Sequence, residues 1–140
     1  MKKANNIAIV GATGMVGHTF LELLQDKYFQ ESAITLLASS NSKGKEVVLR
    51  GKTHAIQDLS KFDFSDTDLA LFSAGSSVSS IYAPKAVSQG CTVVDNSSCF
   101  RYQDDIPLVV PEVNSQILDG YEVPGIIANP NCSTIQMCVA

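Results

Sequence analysis

Apolar residues along the chain fall into short runs separated by polar, glycine-marked breaks. Ile7-Ala8-Ile9-Val10 reads as a compact buried strand, and Gly11–Gly17 behind it as a glycine turn. From Val16 to about Lys27 the spacing is helical, with Phe20, Leu23 and Leu24 expected on one face. Ile34–Ala38 is a second apolar strand, followed by the polar loop Ser39–Lys45. Val47–Leu49 and His54–Ile56 suit a minor hairpin or edge strands. Leu69–Ser73 is another buried strand, closed by Ala74-Gly75. Ser79–Gln89 looks helical, but Pro84 is tolerated only near a helix start, which argues for a start later than Ser79. Cys91–Asp95, Leu108–Val110, a short helix near Asn114–Leu118 and the strand Gly125–Ala128 follow. Ser133–Ala140 begins like a helix, without a capping glycine or stop signal.

Strands separated by helices imply parallel pairing with right-handed crossovers. The strands are near-continuous apolar runs, as expected when helices cover both faces of the sheet. The expected fold is therefore α/β, a doubly wound, Rossmann-type, mostly parallel sheet. A closing helix of about two turns with nothing to pack on is marginal. Residues 1–140 are thus expected to form a single dinucleotide-binding domain of a longer protein.

Bulk composition narrows the options. The 140 residues suffice for one core, and 45% apolar with 17% charged residues describes an ordinary globular chain. A net charge of −4 without a basic stripe gives nucleic-acid binding no support. No apolar run is long enough to span a bilayer. Met1–Lys3 is basic, yet the apolar stretch behind it is a short strand and no secretory signal, so a cytoplasmic location is expected. The four cysteines, at 91, 99, 132 and 138, form no CxxC, and the two histidines, at 18 and 54, stand far from them. No metal site is expected, and free thiols are favoured over disulfides.

The glycine loop carries the first chemistry. Gly11-Ala12-Thr13-Gly14-Met15-Val16-Gly17 follows a buried strand and opens a helix, the context a phosphate-binding turn requires. Gly11 permits the tight turn, Gly14 lets amides approach a pyrophosphate, and Gly17 lets the helix pack on the sheet. The helix start adds free N–H donors and positive partial charge. The spacing is GxxGxxG, a variant of the dinucleotide fingerprint, and the bland alternative is a glycine turn with no ligand. An NAD-binding strand usually ends on an acid that holds the ribose 2′-hydroxyl. Here Ser39, Ser40, Asn41, Ser42, Lys43 and Lys45 follow the second strand, with no acid, which favours NADP. For the two lysines a solvated surface role is an equal alternative.

The second chemistry is a thiol. Cys132 lies between a strand and a helix start, where positive partial charge favours a thiolate and backbone amides await an oxyanion. A lone cysteine there is usually structural; a nucleotide domain in front tips the balance toward a nucleophile. Cys91 begins an apolar strand and suits the core, Cys138 suits helix packing, and Cys99 is ambiguous.

Five segments together resemble the N-terminal portion of the aspartate-semialdehyde dehydrogenases. They are Val10–Gly17, Ala70–Ser77 (ALFSAGSS), Val93–Ser98 (VVDNSS), Val109–Asn114 (VVPEVN) and Asn129–Thr134 (NPNCST), in order over nearly the whole chain. The resemblance implies that Thr13, Gly14, Met15 and Val16 hold the NADP pyrophosphate and that Ser73–Gly75 run along the cofactor. It also places Asn96 near the nicotinamide ribose and ring, Arg101 on the phosphate co-substrate, and Cys132 as the acyl-carrying nucleophile. The implied reaction joins L-aspartyl-4-phosphate and L-aspartate-4-semialdehyde through NADPH and phosphate, on the route to lysine, threonine and methionine. The catalytic histidine and the groups gripping the amino acid belong to a later domain in that family, which also assembles the enzyme as a homo-oligomer. The 140 residues alone are expected to lack turnover. One departure stands out: Asn41-Ser42 replaces the common Arg-Ser, so a charged grip on the 2′-phosphate gives way to neutral donors. Two alternatives remain at this point. An N-acetylglutamyl-phosphate reductase-like enzyme is disfavoured by Asn131 before Cys132, where that family carries Gly. A non-catalytic nucleotide sensor leaves the Asn-Cys-Ser-Thr segment without a reason.

Overall fold

The computed structural model describes residues 4–25 and 27–140; the basic residues Met1–Lys3 lie outside them. Among the described residues eight strands and four α-helices follow one another. They are β1 (Asn6–Val10), α1 (Met15–Leu23), β2 (Ala33–Ala38), β3 (Glu46–Leu49), β4 (Lys52–Ala55), β5 (Gln57–Asp58), β6 (Leu69–Phe72), α2 (Ser76–Ser88), β7 (Thr92–Asp95), α3 (Pro111–Asn114), β8 (Ile126–Ala128) and α4 (Cys132–Val139). Six strands form one sheet in the order β5-β2-β1-β6-β7-β8, with every pairing parallel. The expected Rossmann-like α/β fold is what the chain adopts.

β1 shows why the strands read as unbroken apolar runs. Ile7, Ala8, Ile9 and Val10 are all buried, but alternate residues serve different layers. Ala8 and Val10 join Phe64, Phe72, Ala83 and Ala86 on the α2 face. Ile7 and Ile9 join Leu21, Leu24, Leu36 and Leu49 on the α1 face. The chain lays β2 and β5 on one side of β1 and then returns to lay β6, β7 and β8 on the other. That reversal leaves a crevice beyond the carboxyl ends of β1 and β6, the usual ligand site of such sheets.

Several elements differ from the sequence reading. In α1 the buried stripe is Gly17 and Leu21, continued by Leu24, with Phe20 half-buried. Leu23 is 63% exposed, on the opposite side from the face expected of it. The helix also stops at Leu23, earlier than Lys27. α2 starts at Ser76, before Ser79, and carries Pro84 within it. Gly75, at φ +90°, makes the sharp entry, and Pro84 sits on the exposed side, where the carbonyl it deprives of a partner meets water. The expected hairpin forms as β3–β4, antiparallel and separate from the main sheet. Leu108 makes only an isolated parallel bridge to Ala128, and the short helix runs Pro111–Asn114 before a 3-10 turn at Ser115–Leu118.

The carboxyl end of α1 is capped by a side chain from the hairpin. Arg50, in the left-handed region at φ 53°, heads the β3–β4 turn and turns its guanidinium onto the chain beyond α1. Nε donates to the Leu24 carbonyl (3.2 Å), Nη2 to that of Phe29 (2.7 Å), and Nη1 to those of Gln30 and Ser32 (3.1 Å each). One side chain thus closes the carboxyl end of a helix and staples the hairpin to it. Arg50→Met, which keeps the stem and removes the donors, is expected to cost about 2–3 kcal/mol. A urea titration reading the fold by circular dichroism would show it, with Arg50→Lys recovering only part because one ammonium cannot reach four carbonyls.

Candidate active site at the carboxyl edge of the sheet

The glycine turn is packed so tightly that side chains are excluded at Gly11 and Gly17. Gly11 has φ +91°, and a Cβ there would lie 2.9 Å from the Ala74 nitrogen. A Cβ at Gly17 would lie 2.3 Å from the Gly11 carbonyl oxygen. The turn hangs on the sheet through Gly11 N–H and Ala12 N–H, both donating to the Leu37 carbonyl (2.9 and 3.2 Å). Gly14 caps α1 with no side-chain hydrogen bond, so the first amides of that helix remain open to a ligand. Ser73 Oγ donates to the Val10 carbonyl (3.1 Å), tying the end of β6 to the end of β1.

These groups open on a cleft of about 580 Å³. Gly11, Thr13, Gly14, Ser39 and Ser73, all named from the sequence, line it together with Ser40 and Ala74. Met15, Val16, Asn41, Ser42 and Gly75 are not part of its wall; Met15 is 87% exposed. Residues the sequence did not disclose complete the wall: Asp58, Leu59 and Ser60 from the end of β5, and Val78 and Tyr82 from α2. β5 is two polar residues long, so hydrophobic patterning gives no sign of it. Yet its pairing sets Asp58 beside Ala38, at the end of β2. The Ser60 hydroxyl (2.7 Å) and amide (3.0 Å) donate to Asp58 Oδ1 and hold its carboxyl below the usual carboxylate range, with small help from Lys61 and Lys43. An acid therefore does face the cleft, supplied by the neighbouring strand and not by β2. A larger cavity, about 690 Å³, lies at the opposite end of the strands around Arg50, Lys52 and His54. Its arginine is committed to the four carbonyls above, and none of the site residues named from the sequence reaches it.

Beside the cleft, the loops after β7 and β8 form a polar cluster. Asp95, fully buried, accepts from Ser79 Oγ (2.7 Å), Ser97 N–H (3.1 Å) and Ser97 Oγ (2.6 Å). It fixes the turn that carries Asn96 to the inner face of α2. Arg101 donates through Nε to the Asn129 carbonyl (3.0 Å) and through Nη2 to the Asn96 carbonyl (2.9 Å). Asn129 Nδ2 donates to Asn96 Oδ1 (2.6 Å). Asn96, Arg101 and the strand leading to Cys132 are thereby held in one network. Nη1 of Arg101 has no acceptor among the described residues.

The thiols separate clearly. Cys132 is the first residue of α4 and is exposed, behind the N-cap Asn131, whose Oδ1 accepts from Ser133 N–H (3.0 Å). Burial pushes the Cys91 thiol up to about 12, with a lesser push from Asp68, which makes it a core residue. Cys99, half-buried, is also pushed up, by burial and then by Asp95. Cys138 is exposed, not packed as expected. His18 is exposed and His54 half-buried in the hairpin. Among the described residues no group of three His, Cys, Asp or Glu could hold a metal, and no helix is long and apolar enough to cross a membrane.

Comparison with known proteins bears on the family and the fold. Residues 6–121 match the family model described as semialdehyde dehydrogenase, NAD binding domain. An aspartate-semialdehyde dehydrogenase of Legionella pneumophila is 59% identical over the whole chain, which spans 40% of that relative's length. The solved aspartate semialdehyde dehydrogenase II of Vibrio cholerae, complexed with ASA, superposes with a TM-score of 0.90 at 51% identity, over 97% of this chain and 44% of that one. The Candida albicans enzyme, solved with NADP, gives 0.82 at 29% identity, over 96% of this chain and 45% of its own.

Proposed function

The chain belongs to the semialdehyde dehydrogenase family through its NAD-binding domain, and from that premise we propose that it is the NADP-binding part of an aspartate-semialdehyde dehydrogenase. The carrying observation is the placement of a glycine turn that admits no side chain at Gly11 or Gly17 and an exposed thiol at a helix start on the same edge of one parallel sheet. The wall fits a dinucleotide: the open amides at the start of α1 suit the pyrophosphate, and Leu59, Val78 and Tyr82 offer apolar surface for a base. When bound, the reduced cofactor supplies a hydride.

The chain's own residues account for the remaining steps. Cys132 Sγ, as thiolate, attacks the carbonyl carbon of the acyl phosphate; a C–S bond forms, the C–O bond breaks, and phosphate leaves with the electron pair. Arg101, with Nη1 uncommitted, holds that phosphate. The open amides at the start of α4 meet the carbonyl oxygen as it gains charge. After reduction Cys132 departs as thiolate and the aldehyde is released. In this reading the base that handles the thiol and thiohemiacetal protons, the groups that bind the amino acid and the homo-oligomer contacts come from parts of the relatives that residues 1–140 do not match, and the 140 residues have no turnover on their own. Such an enzyme would work in the cytoplasm.

For the cofactor, we read NADP as preferred but weakly. Ser39 lines the cleft, Asn41 and Ser42 sit in the 3-10 turn just beyond it, and Asp58 brings negative charge to the same end. Fluorescence titration should show NADP(H) bound about 10-fold tighter than NAD(H), well short of what a charged arginine grip would give. Equal affinities would remove 2′-phosphate recognition from the reading, and Asn41→Arg should widen the gap.

A further inference from the structure

Among the residues that line the cleft, Asp58 alone is acidic. It ends β5, next to Leu59 and Ser60 and in one wall with Val78 and Tyr82. Its Oδ1 is occupied twice, by the Ser60 hydroxyl (2.7 Å) and the Ser60 amide (3.0 Å). The same two bonds hold its carboxyl below the usual carboxylate range, so it is charged at neutral pH. Oδ2 has no partner among the described residues, and no buried side-chain oxygen lacks one there, so Oδ2 reaches solvent. An ionised carboxylate accepts hydrogen bonds and cannot donate them. The sheet sets how far out this acceptor stands. The glycine turn follows β1, β2 lies beside β1, and β5 lies beside β2 with Asp58 level with Ala38. In doubly wound sheets the turn after the first strand takes the pyrophosphate, and the end of the next strand meets the ribose. Asp58 stands one strand beyond that, about 4.8 Å further from the turn. A nucleotide laid outward from the turn reaches that point with its base, where Leu59, Val78 and Tyr82 give a flat ring its apolar surface.

We propose that Asp58 is a specificity-determining residue that selects adenine, its Oδ2 accepting a hydrogen bond from the exocyclic amino group of the base. The inference rests on the dinucleotide reading of the cleft and adds how the base is read. Hypoxanthine and guanine carry an oxygen in place of that amino group, and two acceptors facing one another repel. Ser60 makes the polarity switchable. Its amide N–H requires an oxygen, so in Asp58→Asn the side-chain oxygen stays with Ser60 and the NH2 becomes the free end. That variant keeps the size of the side chain but offers a donor where the protein offers an acceptor. Asp58→Ala offers neither.

The test is calorimetric titration of the chain, unaltered and as Asp58→Asn and Asp58→Ala, with two compounds. One is NADP; the other is its hypoxanthine analogue, whose base carries oxygen in place of the amino group. The unaltered chain should bind NADP about 10-fold tighter than the analogue. D58A should bring the two within about 2-fold of each other, and D58N should favour the analogue. Each comparison is a ratio within one protein, so a variant that folds less well still reports it. Equal affinities in the unaltered chain, or a preference for NADP that persists in D58N, would overturn the assignment. So would a D58N variant that binds both compounds more tightly by the same factor, which would make Asp58 a charge acting on the 2′-phosphate. An unaltered chain that binds neither compound would remove the nucleotide reading itself.

Discussion

Replacing Cys132 with serine is expected to abolish turnover in the complete enzyme, by on the order of 10⁴-fold or more in kcat, while leaving dinucleotide affinity unchanged. The two readouts separate because the two sites are built from different groups. The cleft wall comes from the glycine turn, the ends of β2, β5 and β6, and α2, and it does not include Cys132. The sulfur stands alone among the four thiols in being exposed at the first position of a capped helix. Cys91 is disqualified by burial, with its thiol pushed up to about 12. A serine keeps the Asn131 cap and nearly the same shape, so fold and binding persist. Its hydroxyl is a far poorer nucleophile at neutral pH and a far poorer leaving group from the reduced intermediate. Steady-state rates beside a dinucleotide titration make the check. Turnover surviving in the serine variant would remove Cys132 from the chemistry, and lost binding would mean that the variant had disturbed the fold.

Gly17→Ala is expected to have the largest effect on stability, about 3–4 kcal/mol. The added carbon would lie 2.3 Å from the Gly11 carbonyl oxygen and 2.9 Å from the Ala12 Cα, both backbone atoms that cannot swing aside. Relief requires α1 to move off β1, and that interface holds Leu21 and Leu24 against Ile7 and Ile9. A loss of this size is a large part of the roughly 5–15 kcal/mol that holds a domain together. Gly14→Ala gives the contrast. Its added carbon comes within 3.4 Å of the Gly11 carbonyl oxygen and meets nothing closer, and its backbone, at φ −83°, suits any residue. The methyl group would instead occupy the cleft. Thermal unfolding should place G14A close to the unaltered chain and G17A far below it, while both lose dinucleotide affinity. A G17A variant of normal stability would refute the close approach of helix and turn.

The sheet was legible because its central strands bury both faces: Ile7–Val10 and Leu69–Phe72 can hardly be anything else in a chain of this length. The glycine turn was legible because its spacing encodes a backbone contact, and the thiol because a strand and a helix start bracket it. Legibility failed where structure comes from partners distant in sequence. β5 is two polar residues whose only reason to be a strand is the exposed edge of β2, so Asp58 and Ser60 entered the cleft unannounced. Arg50 looks like any surface arginine until four carbonyls from the chain after α1 converge on it. Leu23 was assigned to the wrong face because a short helix with apolar residues at 20, 21, 23 and 24 has more than one plausible stripe, and docking on β1 selects Leu21 and Leu24. Pro84 misled because its direction, outward to water, is not written in its identity.

Asp95 meets no ligand in any of this, yet hydroxyls and an amide from α2 and from the loop after β7 all converge on its two oxygens. The helix behind the cleft and the loop bearing Asn96 are in effect cross-braced through the interior. A shift of the loop bearing Asn96 would have to carry α2 with it or break the bonds that both make to one carboxylate.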